Sequence, residues 1–135
     1  MHKLKVQLRF NDIDILGHLN NTVYFSLYDL GKARYMEDAG LRRHGPEAPA
    51  SVIADVHCSY LKPIHYGDDI YVTTLCSEIG DKSFTLEQEL IDGTGEVRSH
   101  CRTVMVYIDP ATGRPARVPD DYRAKIKAYQ KKDKP

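Results

Sequence analysis

Between Thr22 and Gly40 the chain reads TVYFSLYDLGKARYMEDAG, and its apolar residues recur at helical spacing. Val23, Leu27 and Leu30 fall at i, i+4 and i+7, with Tyr24, Tyr28 and Tyr35 on a neighbouring stripe. The first half is apolar on most sides, so this helix is expected to be deeply buried. Asn20 or Asn21 can cap it, because a short amide side chain accepts from the free N–H groups of a first turn. Gly40 supplies a stop. Gly31 stands in the middle, where glycine costs about 1 kcal/mol against alanine. Close approach of the helix to a sheet would account for it.

No second long helix follows until the end of the chain. Residues 3–10 alternate, with Leu4, Val6, Leu8 and Phe10 on one face and Lys3, Lys5, Gln7 and Arg9 on the other. That is a strand with one wet face. A loop over 44–50 leads to four strand-like runs, 51–61, 68–80, 82–92 and 96–108. In the first, Val52, Ala54, Val56, Cys58 and Tyr60 are expected to share a face; in the second, Ile70, Val72, Thr74 and Cys76. IGDKS and DGTG are hairpin connections, and Pro63 and Gly67 mark a looser joint. VPDDYRAKIKAYQ predicts a short closing helix, with Pro119 near its first turn and Tyr122, Ile126 and Tyr129 on one face. KKDKP reads as a solvated tail. The order is strand, long helix, four antiparallel strands, short helix. A five-stranded sheet curled around the helix buries it, which makes the class α+β, with residues 1–135 as a single domain.

Nineteen lysines and arginines balance nineteen aspartates and glutamates. Zero net charge gives no bulk attraction to nucleic acid or membrane and opposes self-association only weakly. Cys58, Cys76 and Cys101 lie in apolar alternating stretches without CxxC spacing, which reads as buried reduced thiols rather than a disulfide or metal site. Neither a signal-peptide core nor a run of transmembrane length is present, so a cytoplasmic location is expected.

Ahead of the long helix stands DIDILGHLNN, Asp12–Asn21. D-x-D-x-x-G resembles the start of a calcium loop, but Leu16 occupies the fifth position and Val23 the twelfth, where a bidentate glutamate belongs. A transition metal on Asp12, Asp14 and His18 lacks a residue nearby to complete its shell. Carbonyl chemistry fits better. Free N–H groups at a helix N-terminus carry partial positive charge and suit an oxygen that becomes negative in a transition state. An ionised aspartate folded back across that opening can attack the carbonyl or activate water. Gly17 lets the chain turn so that both parts face one pocket. The residues alone leave a second reading open: Asp12 as turn former, Asn20 as cap, His18 as a packed ring.

The segment RFNDIDILGHLNNTVYFSLY, Arg9–Tyr28, with Ala33 and Arg34 following, resembles the 4-hydroxybenzoyl-CoA thioesterase family of hotdog-fold enzymes. YLKPIHYGDDIYV, Tyr60–Val72, is similar to that family's second block. The resemblance implies a hotdog fold and an acyl-CoA thioesterase that needs no metal or other cofactor. It implies Asp14 as the catalytic nucleophile or base, and the backbone N–H of Asn21 as the group that polarises the thioester carbonyl. Gly17, His18, Asn20, Tyr24 and Lys62 then shape the substrate site, and Asp12 is structural. Lys62 and Arg34 are candidates for the CoA phosphates. Tyr24, Tyr28, Tyr60, Tyr66 and Tyr71 are candidates for an aromatic acyl pocket. The family also implies a homo-oligomer, a dimer or a tetramer of paired dimers. Two other functions stay open: an acyl-CoA-binding hotdog without turnover, and a thioesterase acting on acyl carrier protein.

Overall fold

A computed structural model describes residues 1–41 and 50–132. In chain order the elements are β1 (His2–Val6), a 3-10 turn (Phe10–Asp12), α1 (Asn21–Asp38), β2 (Ala50–Tyr60), β3 (Ile70–Ile79), β4 (Ser83–Asp92), β5 (Val97–Ile108) and α2 (Asp120–Lys132). The strands form one antiparallel sheet in the order β1-β3-β4-β5-β2, and α1 packs on it, which is the expected hotdog arrangement. The loop expected over 44–50 lies outside the described residues except for Ala50, which opens β2. Of the tail expected over 131–135, Lys131 and Lys132 instead form the last turn of α2, and the rest lies outside the described residues. No helix among the described residues is long and apolar enough to cross a membrane.

Gly31 lets α1 lie close to the sheet. A Cβ there would stand 2.8 Å from Val72 Cγ2 and 2.9 Å from Gln88 Nε2, inside van der Waals contact. The same Gln88 amide, wholly buried, donates to Tyr28 O and to Thr74 Oγ1, tying the helix to β3 and β4. Ile70, Val72, Thr74 and Cys76 are buried along one face of β3, as their alternation predicts. The helix ends as expected at Gly40, φ +78°. Gly40 N–H donates to Glu37 O and Leu41 N–H to Met36 O, the paired bonds of a Schellman cap.

Three expectations are corrected. β1 stops at Val6, because its partner strand β3 begins at Ile70 and the ladder ends there. Beyond it Arg9 and Asp12 fold the chain into a turn, which leaves Phe10 77% exposed. The first half of α1 is covered on one side only: Tyr24, Leu27 and Tyr28 are buried, while Phe25 and Leu30 are exposed, since a sheet reaches only the near side of a helix. In β2 a bulge lies between Ile53 and Asp55. The extra residue shifts the alternation, so the face shared with Cys58 and Tyr60 continues through Val56 to Ile53 and Ser51, and Val52 turns to the other side.

Candidate active site

The decamer folds as a miniature hairpin. Asp14 N–H donates to His18 O at 2.8 Å, Gly17 N–H to Asp14 O at 3.0 Å, and Gly17 adopts φ +81°, which a side chain would resist. Leu19 N–H donates to Ile64 O at 2.7 Å and Asn20 N–H to Asp12 O at 2.8 Å, so the hairpin is fastened to the loop before β3 and to its own base. Asp12 is buried and structural. It accepts from Arg9 N–H and from the Arg9 guanidinium at 2.9 Å, and that guanidinium holds its carboxyl below the usual range.

Asn20 is the N-cap of α1, its side chain accepting from Thr22 N–H at 3.0 Å. Asn21 is therefore the first helical residue, whose N–H has no intrahelical acceptor. The first turn of α1 contains no acidic side chain, so its own residues leave the positive end of the dipole unneutralised. A carboxylate that lines the same cleft as this end comes from the hairpin. Asp14 and Asn21 line one open cleft of about 310 Å³, together with His18, Leu19, Tyr24, Tyr60, Leu61, Lys62 and Pro63. Asp14 Oδ1 accepts from Leu16 N–H at 2.9 Å and His18 N–H at 3.2 Å, which fixes the carboxylate. Its Oδ2 accepts no hydrogen bond from the described residues.

The cleft has an aromatic wall. Tyr24 and Tyr60 meet edge to face with centroids 4.7 Å apart, and burial pushes both phenols up, so both stay neutral donors. Tyr60 Oη donates to Asn21 O at 3.1 Å and ties the end of β2 to the tip of α1. Next along the chain, Leu61 N–H and Lys62 N–H both donate to Arg98 O, and the Arg98 guanidinium donates to Pro63 O at 2.7 Å. Asp68 and Asp92 hold that guanidinium in place.

Of the residues singled out in the sequence, Asp14, His18, Asn21, Tyr24, Tyr60 and Lys62 line the cleft. Gly17 and Asn20 do not; they act on its shape from behind, as turn and cap. Lys62 Nζ pairs with Glu96 at 2.9 Å at the rim. Arg34 lies outside the lining, as do Tyr28, Tyr66 and Tyr71. Tyr28 is buried with its hydroxyl on Ser99 Oγ at 2.6 Å, Tyr66 meets Phe10 edge to face, and Tyr71 bonds Asp69. Sequence reasoning missed the tether from Tyr60 to Asn21 and the buttress from Arg98. A lone arginine at the start of a strand carries no signal for that role. No group of three His, Cys, Asp or Glu side chains among the described residues is placed to hold a metal ion.

Known proteins share this architecture. The family model of the thioesterase-like superfamily matches residues 8–126. A thioesterase from Thermus thermophilus, solved with coenzyme A and Zn, is 30% identical, covering 98% of this chain and 95% of its own, with a TM-score of 0.81. A thioesterase-superfamily protein from Jannaschia sp. CCS1 is 28% identical over 92% of this chain and 79% of its own, with a TM-score of 0.82. YneP of Bacillus subtilis (strain 168), provisionally an acyl-CoA thioesterase, is 21% identical over 98% of this chain and 97% of its own. With the family model spanning hairpin, helix and sheet alike, the chain belongs to the thioesterase-like superfamily.

Proposed function

We propose that this protein is an acyl-CoA thioesterase, hydrolysing an acyl-CoA to a carboxylic acid and CoA. One observation carries the reading: Asp14 and Asn21, the first residue of α1, line the same cleft. With the thioester oxygen on Asn21 N–H, the helix end stabilises the negative charge that develops there. Asp14 Oδ2, free while Oδ1 is held by Leu16 and His18, takes a proton from water as the hydroxide adds to the carbonyl carbon. The C–S bond then breaks and the proton leaves with the CoA thiol. Direct attack by Asp14, through an anhydride that water resolves, uses the same geometry. No step calls for a metal.

The Tyr24–Tyr60 wall supports an aromatic acyl group of the 4-hydroxybenzoyl kind, because rings stack edge to face on such a pair. Lys62, released from Glu96, is within the same rim and suits a CoA phosphate. The long edge strand β2 exposes Val52, Ile53, Val56 and Tyr60, which supports pairing with a second copy, whereas the other edge, β1, is short and presents Lys3 and Lys5. Three free thiols agree with a reducing, cytoplasmic setting.

The test is thiol release from a panel of aryl and alkyl acyl-CoA esters, comparing the native protein with Asp14→Asn. Release that falls by about 10²–10⁴-fold in the variant is expected. Equal rates would remove Asp14 from the mechanism. Tight ester binding without thiol release would make the protein a binding module. Turnover of acyl carrier protein esters alone would replace the CoA substrate.

A further inference from the structure

We infer that Cys58 and Cys101 form a reversible redox pair, a cross-strand dithiol that a peroxide closes to a disulfide beneath the aromatic wall of the cleft. The two residues stand directly opposite each other on antiparallel β2 and β5. Their place in the ladder follows from the bond at its end. Leu61 N–H donates to Arg98 O, one register step beyond the Tyr60–Ser99 pair, so 61 and 98 form a hydrogen-bonded pair. Pair types alternate along an antiparallel ladder. Tyr60–Ser99 is then non-hydrogen-bonded, Ser59–His100 hydrogen-bonded, and Cys58–Cys101 non-hydrogen-bonded. Opposed Cα atoms at such a pair are about 4.5 Å apart with side chains close on one face. That lies at the short end of the roughly 4.4–6.8 Å range a disulfide spans. The bond can therefore form with little movement of the backbone.

The surroundings assign the two roles. Cys101 is 1% exposed, and burial pushes its thiol up, with the neighbouring Cys58 adding to the effect. Cys58 is only half-buried, so it meets the oxidant first. Its sulfur lies 3.6 Å from Ser99 Oγ, which accepts from Tyr28 and donates to Ser59 O, and the pair shares its sheet face with Tyr60. The chemistry balances. The Cys58 thiolate attacks hydrogen peroxide, the O–O bond breaks, and hydroxide leaves to give Cys58–SOH. The Cys101 sulfur attacks that sulfur, the S–O bond breaks, and the Cys101 proton leaves with the hydroxyl as water. Two thiols lose two electrons and one peroxide becomes two waters. Cys76, on β3 in the other core cluster, has no such partner, and burial pushes its thiol up to about 11.

The experiment needs no enzymatic activity, so its outcome is separate from that of the hydrolytic reading. The native protein is exposed to hydrogen peroxide, alkylated and peptide-mapped without reductant, with circular dichroism confirming that it stays folded. The expected result is a Cys58–Cys101 cross-linked peptide within one chain, about 2 Da lighter than the two free peptides and lost on treatment with a dithiol, with Cys76 alkylated throughout. In Cys101→Ser, Cys58 is expected to accumulate as sulfenic acid trapped by dimedone. The inference is overturned if the native protein keeps both thiols alkylatable, carries Cys58 to sulfinic acid without the link, or joins chains to one another instead.

Discussion

The two ends of α1 are built from the same helix on the same sheet, and they differ in what covers them. At the C-terminal end, Tyr35, Ala39 and Leu41 pack with Phe84, Leu86, Val118, Tyr122 and Ile126 into one cluster. α2 packs over it through Tyr122 and Ile126, and the helix terminates in a complete cap. At the N-terminal end, Tyr24, Leu27 and Tyr28 pack with Ile64, Ile70 and Leu90, but no second helix among the described residues lies over them. The cluster opens instead into the cleft, where the Asn21 N–H and Asp14 Oδ2 stand without partners among the described residues. Leaving polar groups unpaired is costly in a core and useful in a site that must receive a charged transition state. In the proposed function, one end of the helix serves stability and the other chemistry.

This contrast can be broken from either side. The largest effect is expected at the open end: Asp14→Asn keeps an oxygen for Leu16 and His18 N–H, so melting temperature should hold while acyl-CoA hydrolysis falls by about 10²–10⁴-fold. The converse belongs to the end that α2 covers. Ile126→Ala removes a wholly buried side chain and should cost about 2–5 kcal/mol in denaturant unfolding, with kcat/KM unchanged where the variant is folded. Between the two ends, Gly31→Ala forces a methyl onto Val72 and the doubly bonded Gln88 amide. Overpacking of about 1–3 kcal/mol outweighs a helix-propensity gain of about 1 kcal/mol, so chemical denaturation should show a net loss rather than the gain an exposed glycine would give. Tyr60→Phe cuts the tether to Asn21 O. The expected loss is about 1 kcal/mol, read as a roughly fivefold fall in kcat/KM with the melting temperature little changed.

The smallest effect is on acid stability, and it also sits at the open end. Asp92 is held well below the usual carboxylate range by the Thr94 hydroxyl and the Arg98 guanidinium, and Asp12 by Arg9. A depressed folded pKa stabilises the protein above the unfolded value of about 3.9 and is lost as pH falls through the folded one. Stability should therefore decline below about pH 4. Asp92→Asn should flatten that decline in an acid titration followed by circular dichroism; an unchanged slope would show that Arg98 is held by other groups.

Much of this was legible in the residues. The period of 3.6 in α1, the period of 2 in β3, the Gly–Asp turns and a cap at Asn20 or Asn21 are local facts, dictated by backbone sterics and by which neighbours a side chain can reach. Gly31 announced a close contact because nothing local rewards a glycine there. That Asp14 and Asn21 line one cleft was readable for a similar reason: seven residues and one glycine turn connect them. Less was readable where the deciding partner lies far along the chain. The bulge in β2 reversed the faces of Val52 and Ile53 against a pattern that alternates through them. Arg98 buttresses a cleft wall some 35 residues before it in the chain, a separation no periodicity reports. Tyr60, one of five candidate tyrosines, was singled out only by its bond to Asn21.

The sequence by itself determined the elements, their order and the acid placed before the central helix, because each follows from contacts within a few residues. Only the tertiary structure decided which tyrosines meet the cleft, which face of β2 turns inward, that Cys58 opposes Cys101, and that α2 covers one end of α1 and not the other. Those outcomes depend on register and on packing between distant segments, where a shift of one residue exchanges the two faces of a strand.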